Sequence, residues 1–192
     1  MRSRALLAYV GSKTPNLGYK LEEFVSLVEV AGFEVAELVT QFAKTDTRFY
    51  LGAGKAREVA EKDFDVFIAY HGLTPLQIFN LEKLFKRRVI DRIYVILSIF
   101  EKRAGSLESK LQIELARLRY ELPKVKEYLR RAKMGEQLGF MGAGEYAIDA
   151  YYRHIVKRIS TIRKKLEDAK RGRVMHIAKR REAGIPEVVL TG

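Results

Sequence analysis

The chain has 192 residues and a formal net charge of +12, a length that fits one domain with a sizeable appendage. It contains no cysteine, which excludes disulfides, thiol nucleophiles and cysteine-bound metals and indicates a reducing cytoplasm. The apolar runs, such as 93–100, are far shorter than the roughly 20 residues that cross a bilayer, and the stretch 5–10 is no secretory signal, so we expect neither a membrane span nor export.

Residues 1–104 alternate between two periodicities. Short apolar runs rich in β-branched or aromatic residues predict strands at 6–10, 33–39, 65–70 and 88–91. Helical spacing lies between them, where Gly32 predicts one helix end and a capping box at Thr74 predicts one helix start. The alternation predicts an α/β subdomain over 1–104, with a small, mostly parallel four-stranded sheet and flanking helices. The strand order stays open.

Residues 105–182 predict two long helices that pair as an antiparallel hairpin. An apolar seam with spacings of three and four follows Ser106, the predicted N-cap, and a second seam runs through 148–169. Pro123 lies inside the first seam and predicts a kink. With a glycine-rich tip at 135–144, the two helices predict a coiled-coil arm. The alternative is a helical layer folded over the sheet.

The positive charge lies mainly in this second half. Residues 105–192 hold 20 Lys and Arg against 11 Asp and Glu, whereas residues 1–104 hold 16 against 13. Such a surface attracts polyanions, with nucleic acid ahead of an anionic membrane. The candidate RNA-binding residues are the cations that flank the tip, together with glycines and a phenylalanine within it: Lys124, Lys126, Arg130, Arg131, Lys133, Gly139, Phe140, Gly142, Gly144, Arg153, Lys157 and Arg158. The alternative is a solvated basic face beside an ordinary hairpin turn.

Two other groups of residues bear on the binding of small ligands, one as a candidate site and one as an excluded site. Gly52, Gly54 and Lys55 open a predicted helix and form a candidate anion site, although their spacing is not that of a P-loop. The alternative there is a tight turn with a solvated lysine. The three histidines lack the spacing of metal ligands, so we expect structural roles for them and no metal site.

The last ten residues predict the beginning of another domain. Residues 183–192 predict a linker followed by a β-branched strand that ends on Gly192. A strand that ends in glycine is how a phosphate-binding P-loop begins, so Gly192 is the candidate first residue of an incomplete P-loop. We therefore expect the N-terminal part of a longer nucleotide hydrolase, cut at a domain boundary.

Distinctive short segments are spread over nearly the whole chain. They are Leu-Gly-Ala-Gly-Lys at 51–55, Val-Ile-Asp-Arg at 89–92, Lys-Leu-Gln-Ile-Glu-Leu-Ala at 110–116, Tyr-Glu-Leu-Pro at 120–123, Gly-Ala-Gly-Glu at 142–145 and Gly-Ile-Pro at 184–186. In this combination and order they resemble the HflX family of translation-related, ribosome-binding GTPases.

The resemblance implies an N-terminal regulatory domain that binds the large ribosomal subunit and its rRNA and precedes a Ras-like GTPase domain. GTP and Mg²⁺ would then bind in the intact protein, through that following domain. For this chain alone we expect a monomer with no catalytic residue, no cofactor and no GTP turnover. The alternative is that the α/β half is an independent adenine-nucleotide-binding domain, an ATPase or RNA-remodelling module, with Gly52, Gly54 and Lys55 as its site.

Overall fold

Four parallel strands form the centre of the first half of the chain in the computed structural model, which describes residues 2–135, 145–184 and 188. The strands are β1 (Arg4–Val10), β2 (Glu34–Gln41), β3 (Val66–Ala69) and β4 (Arg88–Asp91). They lie in the order β2-β1-β3-β4, and every neighbouring pair is parallel. The predicted four-stranded parallel sheet is confirmed. The order that the sequence left open places β1 and β3 at the centre.

Helices cover both faces of this sheet. They are α1 (Leu17–Val30), α2 (Ala53–Ala60), α3 (Pro75–Phe85) and α4 (Arg92–Arg103). α1 and α4 pack on one face, and α2 and α3 pack on the other. Successive residues of β1 alternate between the two cores, with Leu6 in the core under α2 and α3 and Leu7 in the core under α1 and α4. Because both faces of β1 are buried, its sequence is a continuous apolar run.

Helix ends lie at the predicted positions. Thr74 Oγ1 accepts a hydrogen bond from the Gln77 backbone N–H at 3.2 Å, and Gln77 Oε1 accepts one from the Thr74 backbone N–H at 2.9 Å. Gly32 follows α1 with a φ of 99°, in the region that favours glycine. Ser106 accepts a hydrogen bond from the Ser109 backbone N–H at 3.0 Å. The three predicted boundaries are confirmed.

Two long helices make up the second half of the chain. They are α5 (Leu107–Lys133) and α6 (Glu145–Glu182). They run antiparallel, because Tyr151 of α6 contacts Glu121 of α5, whereas Arg173, further along α6, contacts the earlier residue Glu108. Pro123 lies inside α5 without ending the helix. Apolar side chains line the contact between the helices: Leu115, Leu118, Leu122, Val125, Ile148, Tyr152, Ile155 and Ile159.

The helical pair lies against the α/β half along the middle of α5. Phe79 of α3 is buried in the same apolar cluster as Val125 and Tyr128 of α5, and the ring centroids of Phe79 and Tyr128 are 5.6 Å apart. Tyr94 of α4 faces Tyr120 of α5 with centroids 6.1 Å apart. The middle of α5 therefore contacts α3 and α4, which cover opposite faces of the sheet, and the choice between a projecting arm and a helical layer over the sheet stays a prediction.

Some predictions fall outside the described residues. They concern the tip from 136 to 144, with Gly139, Phe140, Gly142 and Gly144, and the final strand with Gly192. The proposed domain boundaries at 104 and 182 stay predictions. Within the described ranges, none of the helices combines the length and the apolar character that crossing a bilayer requires.

Candidate nucleic-acid interface

Five of the eight cations predicted to bind RNA beside the tip form ion pairs with acidic side chains. The pairs are Lys124–Glu82 at 2.7 Å, Arg130–Glu127 at 2.7 Å, Arg131–Glu127 at 2.9 Å, Arg153–Asp149 at 3.0 Å and Arg158–Glu114 at 2.6 Å. A carboxylate that already accepts hydrogen bonds from a cation competes with a phosphate for the same N–H donors. A phosphate would therefore compete with a carboxylate at each of these five side chains, and their contact with RNA stays a prediction.

The Arg158–Glu114 pair joins α6 to α5. Arg158 Nε and Nη2 donate to the two carboxylate oxygens of Glu114 at 2.6 and 2.9 Å. These hydrogen bonds are the main reason that the pKa of Glu114 lies below its usual value. Because the Nε and Nη2 donors of its guanidinium are used by Glu114, Arg158 links the two helices, and its predicted contact with RNA stays a prediction.

Glu127 binds two cations near the end of α5. It accepts hydrogen bonds from Arg130 Nη2 at 2.7 Å and from Arg131 Nε at 2.9 Å. The hydrogen bond from Arg130 contributes most to lowering the pKa of Glu127. The Arg131 guanidinium also lies 5.4 Å from the centroid of the Phe79 ring, a cation–π contact with α3. Arg131 is therefore part of the interface between the two halves of the chain.

Three of the predicted cations are free to contact a phosphate: Lys126, Lys133 and Lys157. All three are exposed, and none has an ion-pair partner within residues 2–135 and 145–184. Lys126 and Lys133 are two helical turns apart, so they lie on one face of α5. These three lysines stay candidate phosphate contacts.

The densest unpaired charge lies further along α6, where the sequence analysis placed no candidate. Residues 163–182 hold nine Lys and Arg against three Asp and Glu. Five of these cations are exposed and have no ion-pair partner in the part of the chain that the structure describes: Arg163, Lys164, Lys165, Lys170 and Lys179. The sequence signal that could have identified them is the excess of Lys and Arg over Asp and Glu after Ile162. In that stretch the apolar seam continues only through Leu166 and Ala169.

The predicted anion site at the start of α2 is engaged by neighbouring side chains. The Gly52 backbone N–H donates to Gln41 Oε1 at 3.1 Å. Lys55 Nζ donates to Glu58 at 2.8 Å, and this hydrogen bond lowers the pKa of Glu58. Nothing lies within 4 Å of where a Cβ of Gly54 would be. These contacts are those of a tight turn with a paired lysine, and the anion site stays a prediction.

His71 lies at the carboxyl end of β3 beside a buried tyrosine. The Tyr50 hydroxyl and His71 Nδ1 are 3.0 Å apart. Burial raises the pKa of Tyr50 to about 12. Burial, followed by the positive charge of Arg92, lowers the pKa of His71, which favours a neutral imidazole. Among the described residues, no three His, Asp or Glu side chains cluster in a way that could hold a metal ion.

Models of two protein regions match most of the chain. The model described as the N-terminal region of a GTP-binding GTPase matches residues 18–101, and the model described as its middle region matches residues 103–180. The boundary between the two models falls next to the junction of the α/β half with the long helices. The match thus follows the two halves of the fold.

Proteins named GTPase HflX are similar to this chain in sequence. The one from Thermofilum pendens is 46% identical over 177 residues, which is 90% of this chain and 42% of the relative. The one from Escherichia coli is 38% identical over 180 residues, which is again 90% of this chain and 42% of the relative. The chain thus spans less than half the length of these relatives.

Solved structures share the fold. A complex of SsGBP with GDP matches 91% of this chain and 46% of its own, with a TM-score of 0.68 and 28% identity. A GTP-binding protein from Sulfolobus solfataricus, also in complex with GDP, matches 88% of this chain and 46% of its own, with a TM-score of 0.63 and 28% identity. Taken with the matched regions and the named relatives, this shows that the chain belongs to the HflX family of GTPases and corresponds to its N-terminal and middle regions.

Proposed function

We propose that this chain is the ribosomal-RNA-binding and regulatory region of an HflX GTPase, and that it acts on the large ribosomal subunit in the cytoplasm. The observation that carries the proposal is the position of the charge. The second half of the chain holds 20 Lys and Arg against 11 Asp and Glu, and all 20 of those cations lie within α5 and α6. Ribosomal RNA is the polyanion that a GTPase of a translation-related family would meet.

The two halves of the chain have different tasks in this proposal. The α/β half is a scaffold in this proposal, which is supported by helices on both faces of its sheet and by the hydrogen bonds of Gly52 with Gln41 and of Lys55 with Glu58. The helical half supplies exposed lysines that contact phosphates. Phosphate contacts would position the chain on the subunit, and the segment 135–144 would add contacts to bases.

GTP hydrolysis belongs to another part of the parent protein in this proposal. The 192 residues contain no complete P-loop of the form Gly-x-x-x-x-Gly-Lys-Ser/Thr. The residues present therefore do not fit GTP with Mg²⁺, and we derive no catalytic step from them. The regulatory task would be to couple the state of the ribosome to a GTPase domain of the kind that the relatives' name denotes.

Cosedimentation with large ribosomal subunits over a salt series tests the proposal. The intact chain is compared with a variant in which residues 135–144 are replaced by a short glycine linker. We expect saturable binding by the intact chain, an affinity that falls linearly with salt on logarithmic axes, and loss of binding in the variant. Circular dichroism on both proteins confirms that α5 and α6 are retained. Binding that is absent, or that does not depend on the segment 135–144, would contradict the proposal.

A further inference from the structure

We propose that the second half of α6, residues 163–181, is a separate contact surface for the phosphate backbone of double-helical RNA. We call this segment the basic segment of α6. The inference rests on the proposed function, because it assigns RNA binding to a part of the molecule that lies away from the tip at 135–144. It also differs from that proposal in its residues, which lie at the far end of α6.

The charge of the basic segment is almost uncompensated. In α6 as a whole, twelve Lys and Arg stand against five Asp and Glu, and nine of the twelve lie after Ile162. Among the described residues, the segment forms the ion pairs Arg171–Glu167, at 3.7 Å, and Arg173–Glu108. The five exposed cations without an ion-pair partner in the described part of the chain keep a positive charge that a bound polyanion would attract.

The cations surround the helix on the sides that do not face α5. Ile155, Ile159 and Ile162 are buried and mark the side of α6 that packs on α5. Lys164 follows Ile162 by two residues, a rotation of about 200° around the helix, so it lies on the opposite side. Arg163 and Lys165 flank it. A helix with positive charge on several sides can contact two phosphate backbones at once, whereas a helix with one charged face can contact only one surface.

The basic segment has few of the aromatic rings on which single-stranded RNA stacks. No Phe, Tyr or Trp occurs between Arg153 and Glu182, and His176 is the one aromatic ring of the segment. Proteins that bind single strands stack bases on aromatic side chains, and this stacking supplies much of their affinity. Lysines and arginines without aromatic neighbours instead make contacts to phosphates that do not depend on sequence. This favours a duplex, whose phosphates are outside and whose bases are stacked within.

Exposure of the segment agrees with an RNA partner rather than an apolar protein partner. Between Arg163 and Arg181, every charged residue is exposed, and the exposed apolar side chains are limited to the neighbours Val174 and Met175 together with small alanines. Protein interfaces are depleted in lysine and enriched in aromatic residues, which is the opposite of this composition. An acidic protein surface is the competing partner, and the test below separates it from RNA.

Two triple variants of the 192-residue chain test the inference. The first is Lys164→Gln/Lys170→Gln/Lys179→Gln, which removes three unpaired charges from the basic segment and keeps good helix formers. The matched control is Lys13→Gln/Lys20→Gln/Lys44→Gln, which removes three exposed lysines without ion-pair partners in the described α/β half. Both variants lower the net charge equally. Binding is measured to a 20-base-pair RNA duplex and to large ribosomal subunits at salt concentrations from 50 to 200 mM.

We expect the first variant to lose about 2.7 units from the slope of log affinity against log salt, because each lost phosphate contact removes about 0.9. Over the fourfold salt range, the loss of affinity of the unmutated chain would then be about 40 times as large as the loss of affinity of this variant. The control should keep the slope of the parent. Equal slopes for the two variants, or an unchanged slope for the first, would overturn the inference and leave an acidic protein surface as the partner.

The outcomes for the two proposals can be told apart. If the parent chain binds ribosomal subunits through 135–144 but both triple variants bind like the parent, the proposed function stands and this inference fails. If the parent binds the duplex with the expected dependence on the basic segment but does not bind subunits, the proposed function fails and this inference stands.

Discussion

Replacing Tyr128 by phenylalanine removes one hydroxyl group from the interface between the α/β half and the helical pair. That hydroxyl donates a hydrogen bond to Glu82 Oε2, and Glu82 is only 6% exposed. The other oxygen of Glu82 accepts hydrogen bonds from Lys124 Nζ at 2.7 Å and from the Val89 backbone N–H at 3.4 Å. Burial, followed by the negative charge of Glu82, raises the pKa of Tyr128, so the hydroxyl stays protonated and donates throughout the neutral range.

The size of the stability loss follows from the Glu82 carboxylate oxygen, which loses its hydrogen-bond donor in the variant. A buried acceptor without its partner costs about 1–3 kcal/mol, and more when it is charged. Lys124 still pairs with the same carboxylate, and its partly exposed side chain lets water approach. We therefore expect Tyr128→Phe to lower the free energy of unfolding by about 2 kcal/mol. The ring contact with Phe79 is kept, so this loss belongs to the hydrogen bond.

Urea denaturation followed by circular dichroism measures the effect. With a slope of about 2 kcal/mol per molar urea, the expected loss moves the midpoint down by about 1 M. Tyr151→Phe is the matched control, because the Tyr151 hydroxyl also donates to a glutamate, Glu121 at 3.2 Å, but from a side chain that is 44% exposed. The control should stay within about 0.5 kcal/mol of the parent. Equal shifts in the two variants would refute the reasoning, because burial of the acceptor is what distinguishes them.

Three further outcomes are expected from other parts of the molecule. Ile155→Ala should lower the free energy of unfolding by about 2–5 kcal/mol, because Ile155 is fully buried between the helices. The control Val156→Ala, at a residue that is 43% exposed, should lower it by less than about 0.5 kcal/mol. Similar losses for the two variants in urea denaturation would mean that the buried face of α6 is assigned wrongly. Arg158→Leu should destabilise the protein at neutral pH, and the difference from the parent should shrink as the pH falls below about 4, because a carboxyl whose pKa is lowered by folding contributes stability only above that range. Thermal melts at pH 3 and pH 7 check this, and a difference that is as large at pH 3 would show that charge pairing is not its cause. The 192-residue chain should release no phosphate from GTP with Mg²⁺, and release in proportion to chain concentration would contradict the assignment of hydrolysis to another domain.

The α/β half was predictable because its signals are local. A capping box needs only two residues three positions apart, and Thr74 and Gln77 form it as expected. Strands that are buried on both faces read as apolar runs wherever they lie in the sheet. The order of those strands depends on which faces the connecting helices cover, and no local pattern encodes that. The structural role of Asp91 was not predicted, because it depends partly on a residue that is distant in sequence. Asp91 caps α4 and also accepts a hydrogen bond from the backbone N–H of Leu73, 18 residues away, at 2.9 Å.

The candidate interface was predictable in composition and not in detail. The sequence located the excess of charge in the second half, and the structure shows the cations on α5 and α6. Which cations are neutralised depends on contacts between distant residues, such as Lys124 with Glu82 and Arg158 with Glu114, which are 42 and 44 positions apart. A sequence pattern counts a paired and an unpaired cation alike. Ion pairs therefore engage most of the predicted cations beside the tip, whereas several cations of the basic segment of α6 have no ion-pair partner in the described part of the chain.

α5 is the element through which the charged helix is held in place relative to the sheet. One side of α5 contacts α3 through the buried Glu82–Tyr128 hydrogen bond, and its other side contacts α6 through Arg158–Glu114 and the buried isoleucines. The last turns of α6 extend beyond Arg173, which contacts Glu108 near the start of α5. Weakening the α3–α5 contact should therefore lower stability without changing the charge of α6. Removing charge from α6 should change RNA affinity without changing stability, so the two kinds of variant separate scaffold from contact surface.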